Sequence, residues 1–385
     1  MTAKKDKICI FSAQYFPNVG GVERYTYNLA RKLLEKGIDV TIVTSNNHQV
    51  ADYENTVGIK IYRLPCFNLM SGRFPVVKFN KKCRNMLQKI GREKYSLVIT
   101  NTRFYLHSLV GVVFGKKHGK NSILIEHGTS HLSVHNPAMD FMEQAFEHSL
   151  TAVVKLFCKK FYGVSEACNQ WLKHFHIQAM STLYNSIDVD EIQTILDADR
   201  NDFRKQNGIP ENSRLIAFTG RILPEKGIQE LLQAFKTIKE KYPDCCLAVA
   251  GDGPLLNELK AQKQEGVFFL GQIPFEKVVA LLHSSSIFCL PSVSEGMPTS
   301  VLEAVACRNF VITTARGGAK EIILDDSYGM IMENNSVDYI IQSLEKVLND
   351  EAYRKAAVEK SYHRLTDQFT WDKVADKVIQ IMRQS

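Results

Sequence analysis

One pattern occurs twice in this sequence: an apolar run, a glycine-containing loop, an amphipathic stretch and a second apolar run. In the first half, residues 8–12 precede a loop that carries Gly20-Gly21, and residues 39–44 form the second run. In the second half, residues 215–219 lead into a loop that ends at Gly227. Short apolar runs that alternate with amphipathic stretches predict parallel strands covered by helices. The chain is therefore expected to form two doubly wound α/β domains, the number that 385 residues also favours.

The composition is that of a globular protein with full cores, at 45% hydrophobic and 23% charged residues. No apolar run reaches about 18 residues, so no membrane-spanning helix is expected. Residues 1–7 run into the first strand pattern without an apolar signal segment. The nine cysteines include no C-x-x-C pair, and we expect reduced, mostly buried thiols. These features predict a cytoplasmic protein.

Positive charge is concentrated in the first half of the chain. Residues 1–185 carry 25 Lys and Arg against 12 Asp and Glu, a net charge of +13, whereas residues 186–385 carry 23 against 29, a net charge of −6. Eight cations lie between Arg73 and Lys94, interleaved with apolar residues. A basic amphipathic helix here would suit an anionic surface at the inner face of the cell membrane. A solvated helix packed on its sheet explains the pattern equally well. No nucleic acid partner is expected, because no binding motif accompanies the charge.

The densest group of candidate ligand-binding residues lies at 294–303, directly after the apolar run 287–290. Pro298 is expected to open a helix as its first residue, which puts Glu295 on the loop and Glu303 about a turn and a half into the helix. A helix N-terminus offers amide hydrogens and partial positive charge to a phosphate or a sugar hydroxyl. The two flanking carboxylates can bind two polyols. The spacing also matches a capping box beside a solvated Glu295, and spacing alone leaves both interpretations open.

Two cations, Arg221 and Lys226, lie on the loop between Gly220 and Gly227. Cations held beside a departing diphosphate stabilise the charge that develops as a glycosidic bond breaks. Arg can bind two phosphate oxygens at once, whereas Lys acts as a point charge. Taken singly, each is interpreted by default as a solvated loop residue.

Together, Gly-Arg-x4-Lys-Gly at 220–227 and Glu-Gly-Met-Pro-x4-Glu at 295–303 resemble the signature of family 4 retaining glycosyltransferases of the GT-B fold. The resemblance covers essentially the whole chain. It implies two Rossmann-like domains that face a central cleft: an acceptor-side domain, 1–187, and a nucleotide-sugar-binding domain, 188–370. It also implies that a terminal helix within 371–385 packs back on the first domain.

The resemblance implies a role for each candidate site residue. Catalytic roles at the diphosphate and the transferred sugar fall to Arg221, Lys226, Glu295 and His127. Donor binding, including the ribose contact of Glu303, falls to Gly20, Gly21, Gly296, Met297, Glu303 and Ile273. Arg103, at the end of a strand, is assigned to the acceptor side.

The same resemblance implies a retaining, metal-independent hexosyltransferase that needs no cofactor. D-x-D patterns at 188–190 and 197–199 match the metal-binding pair of the other glycosyltransferase fold, but neither follows a strand that would orient it. We expect a nucleotide-sugar donor, UDP-sugar in particular. The expected acceptor is a lipid-linked saccharide in bacterial cell-surface polysaccharide biosynthesis.

Two other functions remain open from the sequence. A nucleotide-sugar epimerase of the same architecture would need an acid–base pair facing the sugar and no acceptor groove. Incubation of a nucleotide sugar with the protein alone would reveal such an activity. A catalytically silent binding protein is disfavoured because both cations and both glutamates are present.

Overall fold

Parallel pairing of short buried strands forms two separate sheets in this protein. The structure is a computed structural model that describes residues 5–18, 20–69, 74–131, 137–198 and 202–384. It divides into two units, Met1–Asn185 with Trp371–Ser385 and Ser186–Thr370. The division lies two residues before the position given by the sequence, 187/188.

The first unit alternates strands and helices along the chain. Its strands are β1 (Lys7–Phe11), β2 (Asp39–Ser45), β3 (Tyr53–Thr56), β4 (Ile59–Leu64), β5 (Cys66–Leu69), β6 (Phe74–Val77), β7 (Leu97–Asn101), β8 (Ser122–Glu126), β9 (Phe161–Gly163) and β10 (Ser181–Thr182). Its helices before residue 186 are α1 (Gly21–Glu35), α2 (Lys81–Gly91), α3 (Leu106–His118), α4 (Pro137–Phe157) and α5 (Glu166–Lys173).

Eight of these strands form one sheet in the order β10-β9-β8-β7-β1-β2-β4-β3. All pairs are parallel except β3 with β4, and β5 and β6 form a separate antiparallel hairpin. The chain order reverses at β1, which lies between β2 and β7. Open α/β sheets bind ligands outside the carboxyl ends of the strands at such a point. The loops after β1, β7 and β8 are therefore the candidate ligand-binding loops of this unit.

The second unit repeats the arrangement with its own sheet. Its elements are α6 (Val189–Ala198), α7 (Phe203–Gln206), β11 (Arg214–Thr219), α8 (Ile228–Lys241), β12 (Cys245–Ala250), α9 (Leu256–Ala261), β13 (Val267–Gly271), α10 (Phe275–Ser284), β14 (Ile287–Leu290), α11 (Thr299–Ala306), β15 (Phe310–Thr314), α12 (Ala319–Ile322), β16 (Met330–Met332), α13 (Val337–Asn349) and α14 (Glu351–Gln368). The parallel sheet has the order β13-β12-β11-β14-β15-β16. Its order reverses between β11 and β14, so the loops after these two strands meet at the switch point.

The last helix, α15 (Trp371–Arg383), belongs to the first unit. The rings of Trp371 and Tyr25 lie 5.0 Å apart, and Lys377 Nζ donates to the Thr182 carbonyl at 2.7 Å. Asn121 Nδ2 donates to the carbonyl of Ile381 at 3.1 Å. These contacts fix the C-terminal helix to residues far earlier in the chain.

Three local expectations are corrected by the structure. The first helix begins at Gly21, within the glycine pair that the sequence placed on a loop, and Gly20 in extended conformation serves as its N-cap. Pro298 is the N-cap of α11 rather than its first helical residue. The basic stretch contains a shorter helix than expected: α2 spans only Lys81–Gly91, since residues 74–77 pair with β5 as a strand. Arg73 lies outside the described residues.

The prediction of free, mostly buried cysteines is confirmed. All nine cysteines are free thiols, and all but Cys66 are buried. Within the described ranges, no helix has the length and apolar character needed to cross a membrane.

Candidate active site

In the second unit, the loops after β11 and β14 are joined by backbone contacts. The Val293 amide and the Ser292 hydroxyl both donate to the carbonyl of Glu225, each at 2.9 Å. Gly227 adopts φ +69°, and a Cβ at this position would lie 2.1 Å from the Pro291 carbonyl oxygen. Only glycine allows the two loops to approach this closely in a left-handed conformation. The two sequence motifs are therefore parts of one structure.

Lys226 and Glu295 form an ion pair at this junction. Lys226 Nζ lies 2.6 Å from Glu295 Oε1, and the two side chains are 22% and 10% exposed. Lys226 ends a short 3-10 helix, Pro224–Lys226, and Glu295 lies three residues before the N-cap of α11. The contact places one expected diphosphate ligand beside one expected sugar ligand.

Arg221 lies at the start of the same loop. Its side chain is exposed, and no carboxylate in the described part of the chain forms an ion pair with it. The loop is positioned by the Ile222 amide, which donates to the Asp252 carbonyl at 2.9 Å. An exposed guanidinium at a sheet switch point is free to bind an anion with two parallel hydrogen bonds.

Helix α11 carries Glu303 in its second turn. Glu303 is 7% exposed, as is Met297 in the preceding loop. The amides of the first helical turn have no carbonyl partner within the helix, and they give this end a partial positive charge. The predicted placement of Glu303, about a turn and a half into the helix, is confirmed.

A glycine pair after β15 packs against the Glu295 loop. The Gly318 amide donates to the Gly296 carbonyl at 2.8 Å. Gly317 adopts φ +55°, and a Cβ there would lie 2.2 Å from the Gly296 carbonyl oxygen. The pair is visible in the sequence after a strand, but it had no predicted role, because its partner Gly296 lies more than 20 residues earlier in the chain. Ile273 lies elsewhere, partly buried after the edge strand β13.

In the first unit, the loops after β7 and β8 meet at His127. The ring of His127 lies edge-on to Tyr25 with centroids 4.8 Å apart, and its Nε2 lies 3.3 Å from Asn101 Oδ1. Asn101 Nδ2 donates to Thr26 Oγ1 at 2.7 Å, which fixes the amide orientation. Asn101 Oδ1 must then accept, so the His127 ring carries its proton on Nε2.

Burial lowers the pKa of His127 to about 3. The ring is therefore neutral at physiological pH and leaves Nδ1 as an acceptor. Such a histidine can accept a hydrogen bond from a sugar hydroxyl, but it supplies no positive charge. Sequence reasoning found His127 but missed Asn101, whose position at the end of β7 was the available signal.

The Gly20-Gly21 pair forms the N-terminus of α1, where Gly20 is the N-cap. Glu23, in the first turn, is 5% exposed, and its Oε2 would lie 2.6 Å from a Cβ on Gly20. Burial raises the pKa of the Glu23 carboxyl. Glu23 is a candidate ligand-binding residue that the sequence reasoning did not select, although its place three residues after a helix N-cap was visible.

Arg103, assigned to the acceptor side from the sequence, is corrected by its environment. The side chain is 1% exposed, and it forms ion pairs with both Glu126 and Glu147. Its guanidinium also lies 3.8 Å from the centre of the Phe175 ring. A cation whose two terminal nitrogens are paired with carboxylates inside the fold cannot reach an acceptor. Instead, Arg103 orients Glu126, whose Oε1 accepts from the amides of His127 and Gly128 at 3.0 and 2.9 Å.

Comparison with protein families covers nearly the whole chain. The model of glycosyltransferase family 4 matches residues 19–191, and that of glycosyl transferases group 1 matches residues 199–364.

Two relatives illustrate the range of similar proteins. The GPI3 subunit of phosphatidylinositol N-acetylglucosaminyltransferase from Saccharomyces cerevisiae is 25% identical over 385 residues, 95% of this chain and 80% of that protein. The UDP-Gal:alpha-D-GlcNAc-diphosphoundecaprenol alpha-1,3-galactosyltransferase of Escherichia coli is 23% identical over 364 residues, 91% of this chain and 90% of that protein.

Solved structures share the fold along the full chain. Sucrose-phosphate synthase from Thermosynechococcus elongatus superposes with a TM-score of 0.77 at 19% identity, covering 99% of each chain. Anabaena Alr3699/HepE, in complex with UDP-glucose, superposes with a TM-score of 0.74 at 16% identity, covering 98% of this chain and 100% of that one. With both family models matched and the fold shared from end to end, the chain belongs to the family 4 glycosyltransferases and has their GT-B fold of two Rossmann-like domains.

Proposed function

We propose that this glycosyltransferase moves a hexosyl group from a UDP-sugar to a lipid-linked saccharide, with retention of configuration and without a metal ion at the reacting centre. The observation that carries the proposal is the Lys226–Glu295 ion pair at the switch point of the second sheet. It puts a cation for the diphosphate and a carboxylate for the sugar on two loops that contact each other.

The ion pair suggests how donor binding changes the site. A diphosphate beside Lys226 and Arg221 offers both cations a more highly charged partner than a single carboxylate. Glu295 can then accept a hydrogen bond from a hydroxyl of the transferred sugar. As the glycosidic bond breaks, negative charge grows on the diphosphate, and fixed cations stabilise it more than they stabilise the bound substrate. In the retaining scheme, the departing diphosphate accepts the acceptor's proton on the face from which it leaves.

The proposed donor is supported by similar proteins. The Escherichia coli relative is described as using UDP-Gal, and Alr3699/HepE was solved with UDP-glucose. A UDP-sugar also fits the chemistry of the second unit, where Glu303 on α11 can bind ribose hydroxyls and the helix N-terminus can bind phosphate.

The proposed acceptor is supported by two relatives whose names include a lipid, phosphatidylinositol in one and diphosphoundecaprenol in the other. A lipid-linked acceptor requires the enzyme to work at a membrane surface. We therefore extend the proposal to a peripheral location at the inner face of the cell membrane.

The surface of the first unit supports this location. Helix α2 packs against the core through Cys83 and Ile90, and it exposes Lys81, Lys82 and Arg84. An open groove of about 530 Å³ lies between α2 and α3, and its lining includes the apolar residues Leu87 and Val113. Three cations also line it: Arg84, Arg92 and Lys117.

The first unit also exposes large apolar side chains on its β5–β6 hairpin and on α4. Phe67 and Leu69 on the β5–β6 hairpin are at least half-exposed, and so are Phe141 and Met142 on α4. The hairpin contacts α4 through the rings of Phe74 and Phe146, whose centres lie 6.0 Å apart. Lys78 Nζ lies 4.3 Å from the centre of the Phe67 ring. Apolar side chains flanked by cations are the combination that binds an anionic bilayer interface.

The donor is tested by thermal shift with a panel of nucleotide sugars, since a bound ligand stabilises the folded protein. We expect UDP-sugars to raise the Tm of the wild type and to lose this effect in Glu303→Ala. The matched control, Glu258→Ala, changes an exposed glutamate of α9 and should keep the shift. An equal shift in both variants would remove Glu303 from the donor site.

The reaction is tested by NMR of products formed from an α-linked UDP-sugar and a lipid-linked saccharide. An α-linked product supports retention, and a β-linked product contradicts it. Conversion of the nucleotide sugar to its epimer by the protein alone would favour the epimerase instead.

A further inference from the structure

Three histidines come together in the first unit. His131 follows β8, His148 lies on α4, and His174 is the C-cap of α5. The Nε2 atoms of His131 and His174 lie 3.2 Å apart, and those of His174 and His148 also lie 3.2 Å apart. The ligand atoms of the three rings all lie within 4.8 Å of one another. Among the residues that the structure describes, this is the group of His, Cys, Asp or Glu side chains placed to hold a metal ion.

The His131–His174 and His174–His148 spacings, each 3.2 Å, match the requirements of a tetrahedral ion. Three imidazole nitrogens bound to one Zn²⁺ at about 2.0–2.1 Å lie about 3.3 Å from one another. The histidines come from three different segments, so the agreement does not follow from local helix geometry.

Hydrogen bonding alone explains the cluster poorly. Glu147 Oε2 lies 2.5 Å from His131 Nδ1, and a carboxylate there holds the ring proton on Nδ1. The Nε2 of neutral His131 therefore presents a lone pair toward the cluster. His174 Nε2 has two nitrogen neighbours but can carry only one proton or one lone pair, so it cannot form a good hydrogen bond with each of them. A metal ion accepts a lone pair from all three rings.

The surroundings hold the rings in place and favour a cation. His174 stacks on Trp171 with an interplanar angle of 5°. Glu147 has the position of a carboxylate that orients a metal-binding histidine through its other nitrogen. Behind the histidines, one buried guanidinium, Arg103, faces two buried carboxylates, Glu126 and Glu147. This triad has a net charge of −1, which a nearby cation would balance.

We propose that His131, His148 and His174 form a binding site for Zn²⁺, with Glu147 as the orienting carboxylate. The bound ion joins the segment after β8, which also carries His127, to helices α4 and α5. A Zn²⁺ ion bound there would brace the His127 loop.

The proposal is tested with the full-length protein, stripped of metal with a chelator and titrated with Zn²⁺ by calorimetry. We expect one ion per chain, a rise in Tm on binding, and visible absorption bands of tetrahedral coordination when Co²⁺ replaces Zn²⁺. His148→Ala and His174→Ala change exposed side chains, and each should weaken Zn²⁺ binding by at least about 10-fold. Glu147→Gln should weaken it by about 10- to 100-fold while the three rings remain.

His363→Ala is the matched control, because it removes an exposed histidine of the second unit. It should bind Zn²⁺ as the wild type does. Absence of Zn²⁺ binding by the wild type, or equal affinity in the wild type and in the His148→Ala/His174→Ala double variant, would overturn the proposal. The double variant also separates this site from the reaction: transfer activity that survives EDTA in that background supports a metal-independent reacting centre.

Discussion

At the scale of the single residue, Lys226 forms an ion pair with Glu295 in the free protein and binds the donor diphosphate in the proposed complex. Removing its charge leaves the departing diphosphate without one fixed cation. We expect Lys226→Ala to lower kcat/KM by about 100-fold or more, the effect of losing one transition-state donor. Steady-state kinetics with a UDP-sugar measure this change.

Lys236→Ala provides the control for Lys226, since it removes an exposed lysine of the adjacent helix α8. It should leave kcat/KM unchanged. Near wild-type turnover of Lys226→Ala at saturating donor would contradict the proposed role of the ammonium group.

A second prediction at this scale concerns His107, which is fully buried in the first unit. Burial lowers its pKa to about 4, and its Nε2 lies 3.0 Å from the Val43 carbonyl. The unfolded chain, with an ordinary histidine pKa of about 6.5, binds the proton more readily than the folded one between these values. The stability contributed by neutral His107 is therefore complete above pH 6.5 and is lost as the pH falls toward 4.

From pH 7.5 to pH 5, this loss amounts to about 2 kcal/mol for His107. Urea unfolding followed by tryptophan fluorescence measures the stability of the unit that contains His107, because both tryptophans, Trp171 and Trp371, belong to this first unit. His107→Gln can keep the bond to Val43 but does not titrate, so its loss of stability should be smaller by that amount. The same pH dependence in the wild type and in His107→Gln would show that other groups cause it.

At the scale of the structural element, the Glu295 loop owes its position to the turn after β15. Gly317→Ala would put a methyl group 2.2 Å from the Gly296 carbonyl oxygen, in a backbone conformation that alanine disfavours. The loop must move to relieve the contact, and Glu295 moves with it. We expect kcat/KM to fall by at least about 10-fold, together with a loss of Tm.

Gly208→Ala separates loop displacement from backbone strain. Gly208 has φ +69°, but no atom lies within 4 Å of a Cβ placed there. This control should lose about 1 kcal/mol of stability and retain its kcat/KM. If the two variants lose activity equally, the contact with Gly296 does not explain the fall in kcat/KM of Gly317→Ala.

At the scale of the whole molecule, charge and apolar exposure on the first unit predict binding to an anionic membrane. Each Lys or Arg near such a surface contributes about 1 kcal/mol, and the Debye length shrinks from about 10 Å at 0.1 M salt to about 3 Å at 1 M. We expect the protein to co-sediment with anionic vesicles at low salt and to detach at high salt. Exchanging Lys78, Lys81, Lys82 and Arg84 for Glu should abolish co-sedimentation while nucleotide binding persists.

The control variant makes the same change of charge in the second unit, at exposed lysines: Lys236, Lys260, Lys263 and Lys360. It should bind vesicles as the wild type does. If both variants lose vesicle binding equally, net charge alone explains the binding. If the variant in the first unit still binds vesicles as the wild type does, α2 is only a solvated helix.

Much of the architecture follows from local pattern. Strands such as β11 and β14 are continuous apolar runs bounded by glycine and polar residues. The sequence pattern predicts the position of such strands to within a few residues. The two donor motifs were found in the same way, because each lies within ten consecutive residues. Helix ends were less certain: α1 starts within the predicted glycine loop, with Gly20 as its N-cap, and β6 replaces part of the basic helix because it pairs with β5.

The sequence by itself determined the fold class and the family, and it selected Lys226 and Glu295 as candidate site residues, since all of these depend on residue types at short spacing. Only the tertiary structure decided which distant side chains meet. Arg103 has the sequence position of a ligand-binding residue, yet two carboxylates, 23 and 44 residues further along the chain, hold it inside the fold. Likewise, His131, His148 and His174 have no motif spacing, and they converge because three separate segments pack together. Local sequence sets local conformation, whereas ion pairing and metal coordination depend on distances that packing alone creates.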